Sequence, residues 1–491
     1  MASTQQARLL SQLLQGSEER QDKAITGVTC RLDRVQPGMI FAAVEEFLAY
    51  QRWQHGLAHL TEAVRRGASS VVTPRASEDL ALSQLVVGEP RRAYGTLCRA
   101  FWGAPDLVMK LIGVTGTNGK STTSQLIAHL YQHTLGRAGS MGTLGTYLNG
   151  HRLEPGVYTT PLAEDAYRLL AHLRNLHADA VAMEVSSHGL ALDRVTSMRF
   201  GAAVFLNLGR DHLDFHGSPE AYHAAKLKLF QNLPAKMPAI VNADDPAWQS
   251  FASAAKGPVL RFGMKNRRAE VRAIFVKLDA RETRFTLVYN GKRYPAQMRL
   301  LGRFMVSNAL AAITTLLALG AKPEPLLKAL KTFNPLPGRM EAFPLLNGAT
   351  ALVDYAHNPD GLERLLENVR AFEPRQVLLV FGAGGDRDKG KRPLMGEIAA
   401  RYSDRIWISN DNPRSEDPAA IAREIEQGTR GHDAVTTQLD RARAIREAYA
   451  ASEQGDVLVL AGKGHEDYMQ IGNRKLPYSD VEVVRSLGQK S

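Results

Sequence analysis

Cysteine is scarce in this chain of 491 residues: only Cys30 and Cys98 occur. Two thiols without metal-ligand spacing exclude a disulfide scaffold and a thiolate zinc site, and they fit a reducing compartment. Long apolar runs are also missing. No window approaches the roughly 18 consecutive apolar residues that a membrane span needs. Met1 to Gln6 carry no basic stretch leading into an apolar core, so no secretory signal is expected and the cytoplasm is the expected compartment. Internal repeats, low-complexity tracts and long blocks of like charge are absent too. Lys and Arg number 61 against 50 Asp and Glu, a net charge of +11. The basic residues are scattered in short pairs such as Arg267-Arg268 and Lys391-Arg392. That dispersion makes no nucleic-acid-binding stripe, and neither nucleic acid nor membrane is an expected partner.

What is present is material for several cores. Hydrophobic residues make up 44% and charged residues 23%, and at about 150 residues per domain the length suggests three domains. Residues 1–106 read as a first α/β unit. It has a helical N-terminal stretch, a turn at Gln36-Pro37-Gly38, an amphipathic run from Leu60 to Val64, and a strand near Ser70-Val71-Val72. Residues 107–336 read as a βαβ series. Leu107–Val114, Ala180–Val185 and Ala202–Leu208 are the apolar strands, Ser121–Tyr131 and Leu301–Leu319 are helical, and Asn290-Gly291 joins an added β-hairpin. Asn334-Pro335-Leu336-Pro337-Gly338 is the clearest linker. Residues 337–491 form a second α/β series, with strands at Ala351–Tyr355, Val377–Phe381, Arg405–Ser409 and Val457–Ala461. Helices are expected there near 361–372, 392–402, 418–427 and 440–451.

The strongest motif is Gly113 to Thr122, placed between a buried strand and a helix. Gly116, Thr117, Asn118, Gly119, Lys120, Ser121 and Thr122 have the character of a phosphate loop. Glycines let backbone N–H groups turn toward phosphate oxygens, and the helix N-terminus adds positive character. Lys120 would bridge the β- and γ-phosphates, and the Ser121 hydroxyl would hold Mg²⁺. The spacing departs from the general G-x-x-x-x-G-K-[ST] form, because Val114 stands where its first glycine is expected.

Thr115 to Thr122 resembles the ATP loop of the Mur ligases and their relatives the folylpolyglutamate synthetases, which are ATP-dependent amide-forming ligases. Further motifs agree. Glu184, in Met183-Glu184-Val185-Ser186-Ser187-His188, lies at a strand end facing a nucleotide crevice. The resemblance makes it a Mg²⁺ ligand, with His212 of Asn207-Leu208-Gly209-Arg210-Asp211-His212 as another. Gly209 replaces the family's usual threonine. Lys226 matches a lysine that the family carbamylates with CO₂ to help hold a second Mg²⁺. Read on its own it would be a solvated helix lysine. Asn308 matches the asparagine near the adenine, although it would equally serve as a helix cap. After the linker, Arg339 of Pro337-Gly338-Arg339-Met340-Glu341 and Asp354 and His357 of Asp354-Tyr355-Ala356-His357-Asn358-Pro359-Asp360 match ATP contacts made on domain closure.

Three C-terminal segments resemble the type of Mur ligase that adds the third residue of the peptidoglycan stem peptide. They hold Arg387, then Asp411-Asn412-Pro413-Arg414, then Gly462 and Glu466. By that resemblance they bind the incoming amino acid, with Arg414 pairing the distal carboxylate of meso-diaminopimelate through its planar fork. Glu466 would bind the ammonium. The acceptor, UDP-N-acetylmuramoyl-L-alanyl-D-glutamate, would meet Thr159, Thr160, Ser186 and Arg194.

Departures cluster on the sugar-nucleotide side. Arg31-Leu32-Asp33 stands for D-S-R, His55-Gly56-Leu57 for D-G-H, Tyr158 for an asparagine and Leu192 for a glutamine. Backbone groups and Arg31 or Arg34 are left to hold the diphosphate. The expected fold is three α/β domains: a uridine-nucleotide domain, a P-loop ATPase-like domain with a mainly parallel sheet, and a Rossmann-like domain. The expected enzyme is a monomer using ATP and two Mg²⁺ ions. L-lysine or L-ornithine as the amino acid, an altered acceptor, and a degenerate nucleotide-binding regulatory protein remain alternatives.

Overall fold

The computed structural model describes residues 8–9, 24–48, 52–278 and 282–487, with side chains from 24–45 and 56 onward within those ranges. Arg8–Leu9 pair antiparallel with Ala24–Ile25 instead of continuing a helix, and the rest of the expected N-terminal helical stretch lies outside the described residues. The His55 side chain lies outside them too.

The first sheet is four-stranded and parallel, in the order Gly27–Thr29, Met39–Ala42, Ser70–Thr73, Ser83–Val86. The helix Pro90–Phe101 packs on it through buried Tyr94, Leu97 and Phe101. Arg34 then ties this unit to the next. Its Nη1 donates to Asp165 at 2.9 Å and also to Glu164, on the central helix Ala163–Asn175.

The central sheet has 11 strands. Its middle is parallel, in the order Ala138–Gly142, Ala180–Glu184, Lys110–Thr115, Phe200–Phe205, Ala239–Asn242, Val259–Gly263. Such strands are covered on both faces and read as unbroken apolar runs. The loop strand starts at Lys110, not at Leu107. Pro105–Leu107 form a 3₁₀ turn after left-handed Ala104, and Leu107 and Val108 are exposed. The expected hairpin is there, Thr283–Tyr289 with Lys292–Met298, and Asn290 and Gly291 have the positive φ of its tight turn. A second antiparallel addition, Gly145–Leu148 and His151–Glu154, lies at the opposite edge and was not expected. The apolar helix Arg303–Ala318 packs on Lys120–Thr134, both in the largest core.

A six-stranded sheet follows, in the order Glu341–Pro344, Thr350–Asp354, Val457–Ala461, Val377–Phe381, Arg405–Ile408, Val435–Thr437. It is parallel except for its first strand. The four helices expected in this region form at Pro359–Arg370, Lys391–Tyr402, Pro418–Glu426 and Arg441–Ala450. A small hairpin, Tyr468–Ile471 with Arg474–Pro477, lies outside the sheet.

One buried ion pair fixes where two of these strands end. Arg441 and Asp480 are both fully buried at the side chain. Arg441 Nε donates to Asp480 Oδ1 at 2.9 Å and Nη2 to Oδ2 at 2.7 Å. The same guanidinium donates to Asn410 O at 3.2 Å and Ala461 O at 2.9 Å, the residues just before Asp411 and Gly462. Asp480→Ala leaves a buried unpaired guanidinium. The expected loss is about 3–5 kcal/mol of stability, read as a lower urea midpoint by far-UV circular dichroism.

Candidate active site

The carboxyl ends of the central and C-terminal parallel strands face each other across a crevice, the place where open α/β sheets bind ligands. The phosphate loop is one wall. Gly116 and Gly119 have φ of 158° and 88°, and only at Gly119 does the left-handed backbone itself demand glycine. A Cβ there would also collide with Asn308 Oδ1. Asn308 thus lies beneath the loop, inside the helix and not at its cap. Asn207 braces the loop by accepting from Asn118 N at 2.9 Å and donating to Asn118 O at 3.0 Å. Thr117 Oγ1 lies 3.1 Å from Tyr222 OH and accepts from Gly209 N at 2.8 Å. Thr122 is buried.

Two lysines meet at one oxygen. Lys120 Nζ donates to Gly116 O at 2.9 Å and Lys226 Nζ donates to the same oxygen at 3.0 Å. Lys226 is 1% exposed. Burial drives its ammonium well below the ordinary lysine value, neighbouring Lys120 adds to that, and Asp211 only partly opposes it. Lys120 is lowered for the same first reason, with Glu184 and Asp211 opposing. Lys226 is therefore no solvated helix lysine.

Ser121 and Glu184 are brought together: Ser121 Oγ donates to Glu184 Oε2 at 3.0 Å. Thr143, which sequence reasoning did not single out, holds the same carboxylate through its N–H at 2.9 Å and its hydroxyl at 3.2 Å. Gly142 makes the room, since a Cβ there would overlap the carboxylate. Burial raises the Glu184 pKa against the pull of Lys120. His212 does not join this cluster. It has left-handed φ of 54°, its ring packs 4.6 Å from that of His188, and Asp211 is its near partner at 3.6 Å. Among the described residues no group of three or more His, Cys, Asp or Glu stands ready to hold a metal ion.

The C-terminal region completes the crevice. Arg339 Nη2 reaches Ser121 Oγ at 3.5 Å, and its guanidinium stacks 4.8 Å above the Tyr355 ring. Its Nε–H is buried without a partner, as is the Asn118 side-chain amide nitrogen. Asp354 accepts from Met340 N and Ala356 N, each at 2.8 Å, and so pins the Arg339 turn. His357 is pushed down to about 4 by burial; its carbonyl accepts from Lys391 Nζ at 2.8 Å.

The expected amino-acid residues gather on neighbouring loops. Arg414 Nη1 donates to Gly385 O at 2.7 Å. Burial and then nearby Arg414 lower the Arg387 pKa, so two guanidiniums share one corner. Pro413 O faces Gly385, where a Cβ would collide with it. Gly462 has φ 112°, and a Cβ there would be 2.5 Å from Asp411 Oδ2. Glu466 accepts from Lys463 Nζ at 2.7 Å and Asn412 Nδ2 at 2.8 Å. Lys463 is buried, and the hairpin at 468–477 backs this loop through Gln470 N to Asn412 Oδ1 at 2.8 Å. Neither was singled out from sequence. Lys463 sits unremarked inside the quoted Gly462–Glu466 segment, and nothing in the hairpin's composition marks a wall of a site.

On the acceptor side, Thr159 Oγ1 lies 3.0 Å from Thr143 Oγ1. Thr160 Oγ1 donates to Glu184 O at 2.9 Å and lies 3.0 Å from Ser186 Oγ. Arg194 donates to Thr160 O at 3.1 Å and stacks over Tyr158 at 5.1 Å. Arg31 and Arg34 are not open to a diphosphate as expected. Arg31 pairs with Asp33, and Arg34 is spent on Glu164 and Asp165. A cavity of about 880 Å³ opens between the first and central units, lined by Val44, Leu57, Pro74, Arg91, Arg92 and Lys228.

Comparison with known proteins agrees with this architecture. Residues 114–316 match the Mur ligase middle domain and residues 338–464 the Mur ligase glutamate ligase domain. The chain is 39% identical over 485 residues to the UDP-N-acetylmuramoyl-L-alanyl-D-glutamate--2,6-diaminopimelate ligase of Alkalilimnicola ehrlichii, covering 96% of each. A protein of the same name from Caldanaerobacter subterraneus is 37% identical, with 94% of each covered. A solved structure of a ligase with that name is 31% identical, covers 98% of both chains and superposes with a TM-score of 0.68. MurF from Acinetobacter baumannii, 18% identical with 99% of both chains covered, shares the fold at a TM-score of 0.66. The chain belongs to the Mur ligase family.

Gly119→Ala tests the loop. The added Cβ needs both a left-handed backbone, costing about 1–2 kcal/mol, and displacement of Asn308. Affinity for ADP, measured by calorimetry, is expected to fall by tenfold or more, since about 1.4 kcal/mol is one decade.

Proposed function

We propose that the chain is an ATP-dependent ligase joining meso-diaminopimelate to UDP-N-acetylmuramoyl-L-alanyl-D-glutamate in peptidoglycan precursor synthesis. The observation that carries this reading is the pair Arg387 and Arg414 at one corner of the crevice, facing a nucleotide loop across it. Burial and then the neighbouring Arg414 hold the Arg387 pKa down, and two guanidiniums at one corner call for an anion between them. A diamino acid with a second carboxylate supplies it; lysine and ornithine do not.

The chemistry has two steps. The acceptor's terminal D-glutamate carboxylate attacks the γ-phosphorus of ATP, and ADP leaves. The amine of the amino acid then attacks the acyl phosphate carbon, the C–O bond to phosphate breaks, and the amine's extra proton is lost. Lys120 and Arg339 neutralise charge on the phosphoryl group. Asn308 lies under the loop on the adenine side, and Asp354 and His357 border the nucleotide. Thr159, Thr160, Ser186 and Arg194 hold the muramoyl dipeptide. The uridine diphosphate end occupies the cavity beside Arg91 and Arg92, whose size suits a nucleotide. Asp411, Asn412, Pro413, Gly462 and Glu466 orient the amino acid, which turns binding into near-attack geometry.

The donor set also fits Mg²⁺, a hard ion that takes few protein oxygens and keeps waters and phosphate oxygens. Ser121 and Glu184 would hold one ion, and His212 with Lys226 as a carbamate would hold a second. The ions would supply Lewis-acid stabilisation of the transferring phosphoryl group. Lys226 suits carbamylation because burial and neighbouring Lys120 favour loss of its proton, and an amine reacts with CO₂ through its free lone pair, with loss of a proton. The chain acts as a cytoplasmic monomer, with domain boundaries near 106 and 337. No helix among the described residues is long and apolar enough to cross a membrane.

Phosphate release with the UDP-acceptor tests the reading. Turnover is expected with meso-diaminopimelate and not with L-lysine or L-ornithine. Arg414→Lys should lower kcat/KM for diaminopimelate by roughly 10- to 100-fold, the worth of a charge-assisted hydrogen bond. Equal turnover with L-lysine would sink the specificity. For Lys226, ¹³C-bicarbonate should give a carbamate carbon resonance that Lys226→Arg lacks, along with turnover.

A further inference from the structure

Gly209 and Asp360 meet across the seam between the central and C-terminal sheets. We infer that they form a closure latch, in which Asp360 is a positioning residue that seats the amino-acid-binding region on the phosphate loop. The latch rests on the ligase reading above.

A Cβ on Gly209 would fall on Asp360 Oδ2. A side chain at this position would have to displace the Asp360 carboxylate from where it now sits. The backbone does not explain the glycine, because its φ lies outside the left-handed region. The close approach does. Oδ2 of Asp360 accepts from Arg210 N at 3.2 Å. Gly209 N, one residue earlier, donates to Thr117 Oγ1 at 2.8 Å, and Thr117 is part of the phosphate loop. A chain of short contacts thus runs from the C-terminal region through Arg210 and Gly209 to the phosphate loop.

Its neighbours act in the same direction. Asn358 Nδ2 donates to Asp211 Oδ2 at 3.2 Å while its Oδ1 caps the helix Pro359–Arg370. Asp360 lies in the first turn of that helix, where the free N–H groups favour a carboxylate. Arg210 Nε also faces Asp388 at 3.6 Å. The Asp360 carboxylate fills the space that a side chain at position 209 would take.

The test uses the full chain and four variants: Gly209→Thr, Gly209→Ala, Asp360→Ala, and Gly209→Thr with Asp360→Gly. Steady-state kinetics should show kcat down about 100-fold in Gly209→Thr with KM for ATP changed less than about threefold, the pattern of a lost closure step. Asp360→Ala should lose about tenfold in kcat. The double variant should return to the Asp360→Ala level, because removing the carboxylate relieves the collision. Small-angle scattering with AMP-PNP and Mg²⁺ should show the parent and the double variant contracting and Gly209→Thr staying extended. Full kcat in Gly209→Thr, or losses that simply multiply in the double variant, would overturn the latch. If Gly209→Thr does not fold by circular dichroism, Gly209→Ala alone and with Asp360→Ala decides by the same rule. A parent without turnover refutes the ligase reading instead, and the scattering series then judges the latch alone.

Discussion

Two ammonium groups bonded to one buried carbonyl oxygen, Gly116 O, are the constraint from which the rest of the site follows. Two cations at that spacing, away from water, repel strongly and cannot both stay charged without anions nearby. Glu184 and Asp211 supply part of the compensation. The remainder is met by one lysine giving up its proton, or by phosphates entering the loop. Both responses are what a phosphoryl-transfer site needs. The buried pair therefore sets up the anion affinity of the loop and the reactivity of Lys226 at once.

The second consequence concerns the seam. The phosphate loop is built in the central sheet, whereas Arg339, His357, Arg387 and Arg414 hang from the C-terminal one. Neither half is a site. Contacts of Ser121 with Arg339 and of Asp211 with Asn358 cross the gap. In the proposed reaction closure would carry a guanidinium to the phosphates and the amino-acid loops toward the acceptor. Behind the seam, Arg441 ties the ends of two C-terminal strands to Asp480 and so holds the two loops that follow them together.

The sugar-nucleotide side, where the first unit meets the central one, follows different logic. Its departures from the family pattern are not random losses. Arg31 and Asp33 form an ion pair with each other, and Tyr158 gives Arg194 a ring to stack on. The buried Leu192 offers its carbonyl to Arg91 at 3.1 Å.

How much was legible beforehand follows from the range of each interaction. The strand–loop–helix at 110–134, the hairpin turn at Asn290-Gly291 and the C-terminal helices rest on local patterning, and they appear close to where that patterning puts them. Arg8–Leu9 and the start of the loop strand differ from the expectation; an apolar run such as Leu107–Met109 looks like a strand until Ala104 and Pro105 turn the chain away. Residue types at Lys120, Glu184, Arg387 and Arg414 announced phosphate and carboxylate chemistry by themselves, since a charge in a motif shows what it can bind. Thr143, Lys463 and the hairpin at 468–477 did not, because their roles depend on which atom of a distant segment they touch. By itself the sequence determined the local elements and the chemical vocabulary of the site. Only the tertiary structure decided that Lys226 is buried against Lys120, that Arg31 and Arg34 are already occupied, and that Gly209 gives way to Asp360, because burial and pairing across hundreds of residues exist only once the sheets have packed.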